Sequence, residues 1–287
     1  MNKWRFYMYT PRFLEGEAYI HGGVVYIAKG YQHPPGFIVA YPRYNLLTKT
    51  RLAEHERDKY ELKYYWDCIK CKVPIIPQSA HVYNPRYFES SAVLQLKSTL
   101  ESILGVELHI TGSSLVTEEF NDVDFVIYGA SEDIVGKLSD LFNRELLKRS
   151  EYILTREYLS KHSGLPSIQD YLFLKKNTIL HGLLQGIHIN LKLIYYKSGF
   201  SKCVDPVIEC REFNGLVKVE KPIRPHIIPS IYLVRINGEE LLMESLRELY
   251  SELPLGKYIV YNARLEYRES GVYLVPDSGS LIPYTTQ

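Results

Sequence analysis

The stretch ELHITGSSLVTEEFNDVDFVIYG, residues 107–129, decides how the middle of this chain folds. Gly112 follows an apolar strand and begins a polar turn, where a glycine lets the backbone turn tightly and present its amides. Asp122 and Asp124 flank Val123 at the start of a second strand, so their side chains project to the same face. The apolar run that follows makes the two acids the exposed end of a buried strand.

The residue types in this segment point to phosphate and metal chemistry. Two carboxylates held side by side repel each other unless a cation lies between them, and oxygen ligands suit a hard divalent ion such as Mg²⁺ or Mn²⁺. Backbone amides at a glycine turn can hold a phosphate. Together they are the equipment for phosphoryl or nucleotidyl transfer. The alternative is a solvated polar strand end beside an ordinary turn.

Periodic patterns on either side predict helices and strands in alternation over residues 85–196. Apolar residues at helical spacing predict a helix that ends at Gly105, and Ser131 is a cap residue for a second helix. Shorter helices are predicted over 151–161 and 167–175. The stretches 178–184 and 187–196 then predict a hairpin. This order is typical of a core with a mixed sheet.

Two β-rich modules flank this core, at residues 1–84 and 197–287. In the first, YIHGGVVYIA and GFIVAYPRY predict strands, and a charged stretch at 52–65 predicts a helix. In the second, strands are predicted at 231–236, 257–267 and 272–275, with a helix over 240–253. A five-stranded barrel with one interposed helix, such as an OB-like module, fits this pattern.

The GSS turn followed by DVDFVIYG resembles the signature of the polymerase-β-like nucleotidyltransferase superfamily, a Gly-Ser turn followed by D-x-D on the next strand. The order of modules is similar to that of a group of archaeal predicted nucleotidyltransferases. The resemblance implies an α+β fold with a nucleotidyltransferase-like mixed sheet, dependence on a divalent metal and a nucleoside triphosphate (NTP) as donor. By that resemblance Gly112, Ser113 and Ser114 would hold the triphosphate. Asp122 and Asp124 would hold the metal.

The superfamily's third carboxylate has no counterpart at the expected place, the strand GIHINLKLIYY. Asn190 stands at the equivalent position, with His188 and Lys192 on the same face. Asparagine can ligate Mg²⁺ through its carbonyl oxygen but cannot act as a carboxylate base. His188 could replace that base or be a hydrogen-bonded structural residue. Lys175 and Lys176 precede the hairpin and could reach a triphosphate, or they could form a solvated helix end.

The amino-acid composition limits how the protein could bind nucleic acid. The 287 residues carry 34 Lys and Arg against 33 Asp and Glu, which argues against coating nucleic acid by bulk charge but allows a local basic groove. Arg43 and Arg86, each beside tyrosines, could contact nucleic acid or lie on half-exposed strands. The 25 tyrosines are more frequent in the flanking modules than in the core. They could form stacking surfaces there, or they could reflect strand propensity alone.

The sequence also bears on the cellular compartment of the protein. No apolar run approaches the about 20 residues of a membrane helix, and the N-terminal residues lack the apolar segment of a secretory signal. A cytoplasmic protein with no membrane partner is therefore expected.

The four cysteines fall into two differently spaced pairs. Cys68 and Cys71 form a CxxC, whereas Cys203 and Cys210 are more widely spaced. Inert thiols, a disulfide and half of a metal site all stay open.

The leading hypothesis is a metal-dependent nucleotidyltransferase that transfers NMP from an NTP to an acceptor, which could be an RNA end, a protein or a small molecule. The main alternative is a catalytically impaired nucleotidyltransferase fold that binds RNA or single-stranded nucleic acid, or regulates a protein partner. The absence of a third carboxylate favours the alternative, and the intact GSS and D-x-D favour the enzyme.

Overall fold

A computed structural model describes residues 12–83, 91–117, 120–162 and 167–284. These residues form a strand-rich structure with three sheets and five α-helices, which confirms the α+β class. Within these ranges, none of the helices combines the length and the apolar character that crossing a membrane requires.

The N-terminal module is a six-stranded antiparallel sheet. Its strands are β1 (Ala18–His21), β2 (Val24–Ala28), β3 (Phe37–Asn45), β4 (Leu62–Trp66), β5 (Cys71–Pro77) and β6 (His81–Val82). They lie in the order β4-β5-β3-β2-β1-β6. The helix predicted over 52–65 is wrong, because only α1 (Glu54–Arg57) is helical there. The aromatic segment LKYYW pairs with β5 instead, as strand propensity favours.

The central module contains a mixed sheet covered by helices. Its strands are β7 (His109–Thr111), β8 (Val123–Tyr128), β9 (His181–Leu184), β10 (Ile187–Ile194) and a two-residue strand, Ile227–Ile228, from further along the chain. The helices are α2 (Ser91–Leu104), α3 (Glu132–Asn143), α4 (Glu151–Glu157) and α5 (Ile168–Lys175). The predicted helix before Gly105 and the β9–β10 hairpin are confirmed.

Alternation along β8 and β10 gives this sheet one apolar face and a second face that is polar at the start of both strands and apolar further along, where Val126 and Ile194 are buried. Val123 and Phe125 of β8 pack with Ile189 and Leu191 of β10 and with apolar residues of α2 and α3. The intervening side chains therefore point to the opposite face. Since β8 and β10 are parallel neighbours with Asp124 opposite Asn190, that polar face gathers the residues that the sequence analysis singled out.

The C-terminal module closes into a five-stranded barrel. Its strands are β11 (Val207–Arg224), β13 (Ser230–Ile236), β14 (Glu239–Ser245), β15 (Gly256–Arg268), β16 (Gly271–Val275) and β17 (Ser280–Pro283), and β12 is the Ile227–Ile228 strand of the central sheet. The pairing runs β11-β13-β14-β16-β15 and returns to β11, while β17 pairs with β15.

The helix predicted over 240–253 within this barrel is wrong. Most of its first half is strand β14, which pairs with β13 on one side and β16 on the other. Only Glu248–Tyr250 forms a single turn of 3₁₀ helix. Helix-favouring residues such as Glu and Leu are overridden here because pairing on both edges satisfies the backbone and buries Met243 in the barrel.

A disulfide links the N-terminal module to the segment before the barrel. Cys68 bonds to Cys203, 135 residues away, while Cys71 and Cys210 are free thiols. The CxxC pair is therefore not bonded within itself. Spacing in the sequence could not indicate this pairing, because the two cysteines come from separate modules.

Candidate functional site

Asp122 and Asp124 lie beside Asn190 on the polar face of the central sheet. The Asn190 amide nitrogen Nδ2 donates to Asp122 Oδ2 at 2.7 Å and to Asp124 Oδ1 at 2.8 Å. Its carbonyl oxygen Oδ1 is buried and has no hydrogen-bond partner among the described residues. Asn190 thus contacts both acids from the position that the resemblance noted in the sequence implies for the third ligand.

The turn after β7 is fitted closely to these acids. Gly112 has φ +74°, a conformation that L side chains rarely adopt, and a Cβ there would overlap the Asp124 carboxylate. The glycine thus lets the backbone approach Asp124 directly. Ser113 lines the adjacent cavity. Ser114 is buried, and its hydroxyl donates to the Thr111 carbonyl at 3.2 Å, so it supports the turn from within the wall.

The two acids, Asn190, Gly112 and Ser113 form part of the lining of a cavity of about 1070 Å³ to which all three modules contribute. The central sheet supplies acids, whereas Arg43 and Arg51 of the N-terminal module and Arg156 of α4 supply positive charge. Burial and the neighbouring Arg51 lower the pKa of Arg43, while Asp124 acts in the opposite direction. The guanidinium groups can pair with the charges of a polyanion, and the carboxylates can bind cations associated with it, so the cavity suits a polyanion bound together with cations.

The two lysines predicted to reach a triphosphate lie in different environments. Lys175 is buried in the cavity wall, and its Nζ donates to the backbone carbonyls of Glu248 at 2.8 Å and Ser251 at 3.2 Å. Lys175 therefore fastens α5 to the barrel. Lys176 places its ammonium over the Phe173 ring, 5.1 Å from the centroid, and does not line the cavity. Arg86 lies outside the described residues.

A partly buried ionic chain, which the sequence analysis missed, borders the site. Lys192 Nζ lies 3.1 Å from Glu15 Oε1 and 3.7 Å from Glu248 Oε2, and Glu15 also contacts Lys29 Nζ at 2.9 Å. Burial alone would raise the pKa of Glu15 and of Glu248, but Lys192 and the other cations hold both below the ordinary value. On β10 the sequence signal for this chain was the alternation that placed Lys192 on the same face as His188 and Asn190.

The chain continues from Glu248 into a second polar cluster. His181 Nε2 lies 3.3 Å from Glu248 Oε1, and its Nδ1 lies 3.1 Å from Glu157 Oε2. Burial would lower the pKa of His181, but Glu157 and Glu248 raise it. His188 belongs to the same cluster, and Glu157, His181 and His188 can each offer a metal ligand. Residues that could hold a metal therefore occur twice in this cavity.

Comparison of the chain with protein-family models, with curated proteins and with solved structures finds no match. The geometry of the cavity is therefore the basis for the function proposed below.

Proposed function

We propose that this protein is a metal-dependent nucleotidyltransferase that transfers NMP from an NTP to an acceptor. The observation that carries the proposal is the fit between Gly112 and Asp124: the turn comes so close to the acid that only a glycine can occupy it. The turn is thereby fixed beside two carboxylates at a strand end, and both the turn and the carboxylates line one large cavity.

Asp122 and Asp124 would hold the divalent ion, Mg²⁺ or Mn²⁺. Both offer carboxylate oxygens, the ligands that these ions prefer, and they do so side by side on one wall of the cavity. When bound, the ion would neutralise charge on the triphosphate and on the departing pyrophosphate. The turn at Gly112 and Ser113 would bind phosphate oxygens through backbone amides. Arg43 and Arg51 offer further positive charge from the opposite module.

In the transfer itself, the acceptor hydroxyl oxygen bonds to the α-phosphorus as its proton passes to water, and the bond from that phosphorus to the oxygen bridging the α- and β-phosphates breaks as pyrophosphate leaves. The protein's part is to align the two groups and to stabilise the transition-state charge. Asn190 would ligate through its carbonyl oxygen, for which its side-chain amide must rotate by a half turn. It cannot accept the proton of the acceptor hydroxyl.

A second candidate function is favoured by the same asparagine. Asn190 already donates to both carboxylates, and this contact satisfies two acids that otherwise need a cation. A catalytically impaired nucleotidyltransferase fold could use the cavity and its arginines to bind nucleic acid or to regulate a protein partner. The two candidates differ in whether nucleotide binding requires the metal.

The test compares the wild type with the double variant Asp122→Asn plus Asp124→Asn, and with Asp140→Asn, which changes an exposed acid on α3. We expect NTP with Mg²⁺ to raise the melting temperature of the wild type and of the control, and not that of the double variant. α-Labelled NTPs with total RNA and lysate then identify the acceptor. Tight binding of single-stranded RNA without any metal-dependent nucleotide binding would contradict the transferase and favour the second candidate.

A further inference from the structure

Three buried side chains converge beside the Asp122 and Asp124 pair without belonging to it. Glu157 comes from α4, while His181 and His188 come from the facing strands β9 and β10. They expose only 6%, 5% and 7% of their surface, and one ligand atom of each lies within 4.8 Å of the others. His181 is the cross-strand partner of Asn190, so the cluster is directly adjacent to the acids.

The donor set differs in kind from that of the acids. Two imidazoles and one carboxylate are the ligands of zinc sites with an open position, whereas Mg²⁺ prefers oxygen ligands alone. Two ligands about 2.0–2.1 Å from a tetrahedral Zn²⁺ lie about 3.3–3.4 Å apart. The His181 Nδ1 to Glu157 Oε2 distance of 3.1 Å is close to that separation. The ligand atom of His188 lies within 4.8 Å of the other two, so metal binding would draw the three side chains closer together.

An outer carboxylate supports the same assignment. His181 Nδ1 lies 3.1 Å from Glu157 Oε2, and the opposite nitrogen, Nε2, lies 3.3 Å from Glu248 Oε1, although neither contact has the geometry of a hydrogen bond. A histidine that ligates a metal through one nitrogen commonly donates the other N–H to a carboxylate, which fixes its tautomer and orientation. Glu248 is in turn held by Lys192, at 3.7 Å. The barrel module therefore supplies the outer partner for ligands of the central module.

We propose that Glu157, His181 and His188 bind a divalent transition ion of the zinc class, with a coordination position open to the cavity. The site is separate from the Asp122 and Asp124 pair and stands whether or not the protein is a nucleotidyltransferase. An ion held there faces the same cavity as the arginines. Its open position can take water or an oxygen of a ligand bound in the cavity.

The competing explanation is an ion pair without a metal, in which a protonated His181 lies between Glu157 and Glu248. Titration of the untagged, metal-free full-length chain with Zn²⁺ alone separates the two. We expect one Zn²⁺ per chain, and visible absorption of a four- or five-coordinate Co²⁺ in the cobalt-loaded protein. His181→Gln and His188→Gln should each weaken Zn²⁺ binding at least about 100-fold, and Glu248→Gln by about 10–100-fold.

Two controls make this result specific. His55→Gln changes an exposed histidine of α1 and should leave Zn²⁺ affinity unchanged. Asp122→Asn plus Asp124→Asn should also retain Zn²⁺ binding. Circular dichroism and melting temperature confirm that each variant folds. Absence of Zn²⁺ binding by the wild type, equal binding by the His181 and His188 variants, or loss of Zn²⁺ in the double aspartate variant would each overturn the proposal. Since no nucleotide is present, the outcome is independent of the proposed function.

Discussion

Replacing Asn190 with aspartate tests whether the site is arranged for a cation. In the wild type, the Asn190 amide donates to Asp122 at 2.7 Å and to Asp124 at 2.8 Å. Asn190→Asp preserves the shape of the side chain but replaces the donor with a third carboxyl group. Without a metal the change should destabilise the protein, and with Mg²⁺ it should create a complete three-carboxylate site.

The metal-free cost can be worked out from proton binding. Facing two carboxylates, the new carboxyl group would take up a proton, and keeping it neutral at pH 7 against an unfolded pKa of about 3.9 costs about 4 kcal/mol. A neutral carboxyl donates only one hydrogen bond, so one bond to a charged group, about 1.5–3 kcal/mol, is also lost. The expected loss is about 6–7 kcal/mol at pH 7.

The sign of the pH dependence follows from the same reasoning. The folded pKa of the new group lies above its unfolded pKa, so the proton term is absent below the unfolded pKa and grows as pH rises towards the folded one. Between pH 7 and pH 5 the loss should shrink by about 2.7 kcal/mol. Mg²⁺ at about 100 times its dissociation constant should restore about 2.7 kcal/mol.

Urea unfolding in EDTA and in Mg²⁺, at pH 5 and pH 7, measures these differences. Asn190→Ala is the matched control, because it removes both hydrogen bonds without adding a carboxyl group. Its loss of stability should shrink less between pH 7 and pH 5 than that of Asn190→Asp, because only the two native acids remain to bind a proton, and Mg²⁺ should rescue it less. An equal loss for Asn190→Asp at both pH values, or no rescue of it by Mg²⁺, would refute the inference that the acids face a cation site.

Three further perturbations test the surroundings of the site. Gly112→Ala should destabilise the protein by more than about 1 kcal/mol in urea unfolding because of its positive φ and the overlap with Asp124, whereas Gly136→Ala, in an open helical position, should be neutral or stabilising. Cys203→Ser opens a disulfide across 135 residues and should cost up to about 5 kcal/mol on the loop-entropy model, an effect that a reducing agent should reproduce in the wild type. Glu15→Gln should destabilise by about 3–5 kcal/mol at pH 7. Burial opposes the charge of this residue but two lysines lower its pKa, so the wild-type advantage should disappear as pH falls through the folded pKa, and an undiminished advantage at pH 2 would contradict this account.

The local parts of this molecule could be predicted from sequence because their signals are local. The turn at Gln185 and Gly186 has positive φ at both residues, as the two-residue hairpin requires. Alternation along β10 placed His188, Asn190 and Lys192 on one face, and the structure brings Asn190 to the two acids. In each case, residues close in sequence carry the information that sets the geometry.

The walls of the cavity could not be predicted in this way. Glu15 and Lys192 form an ion pair across 177 positions, and no periodic pattern links them. Glu248 fell within the helix wrongly predicted over 240–253. The residues just before it have helix propensity, but they pair as strand β14 in the closed barrel. The disulfide shows the same limit. Contacts between modules depend on the folded shape of each module, which local sequence patterns do not reveal.

This dependence has a consequence for how the site is assembled. Lys192 belongs to the central sheet, but its carboxylate partners, Glu15 and Glu248, come one from each flanking module. Removing either module would take away one of the two carboxylates that pair with Lys192 and would open this part of the cavity to solvent. His181 would similarly lose Glu248, its outer partner. The central sheet supplies the acids, the turn and the histidines, but their charges are balanced only when all three modules are packed together. The charge balance of the cavity therefore depends on residues from all three modules, and the central module alone would not reproduce it.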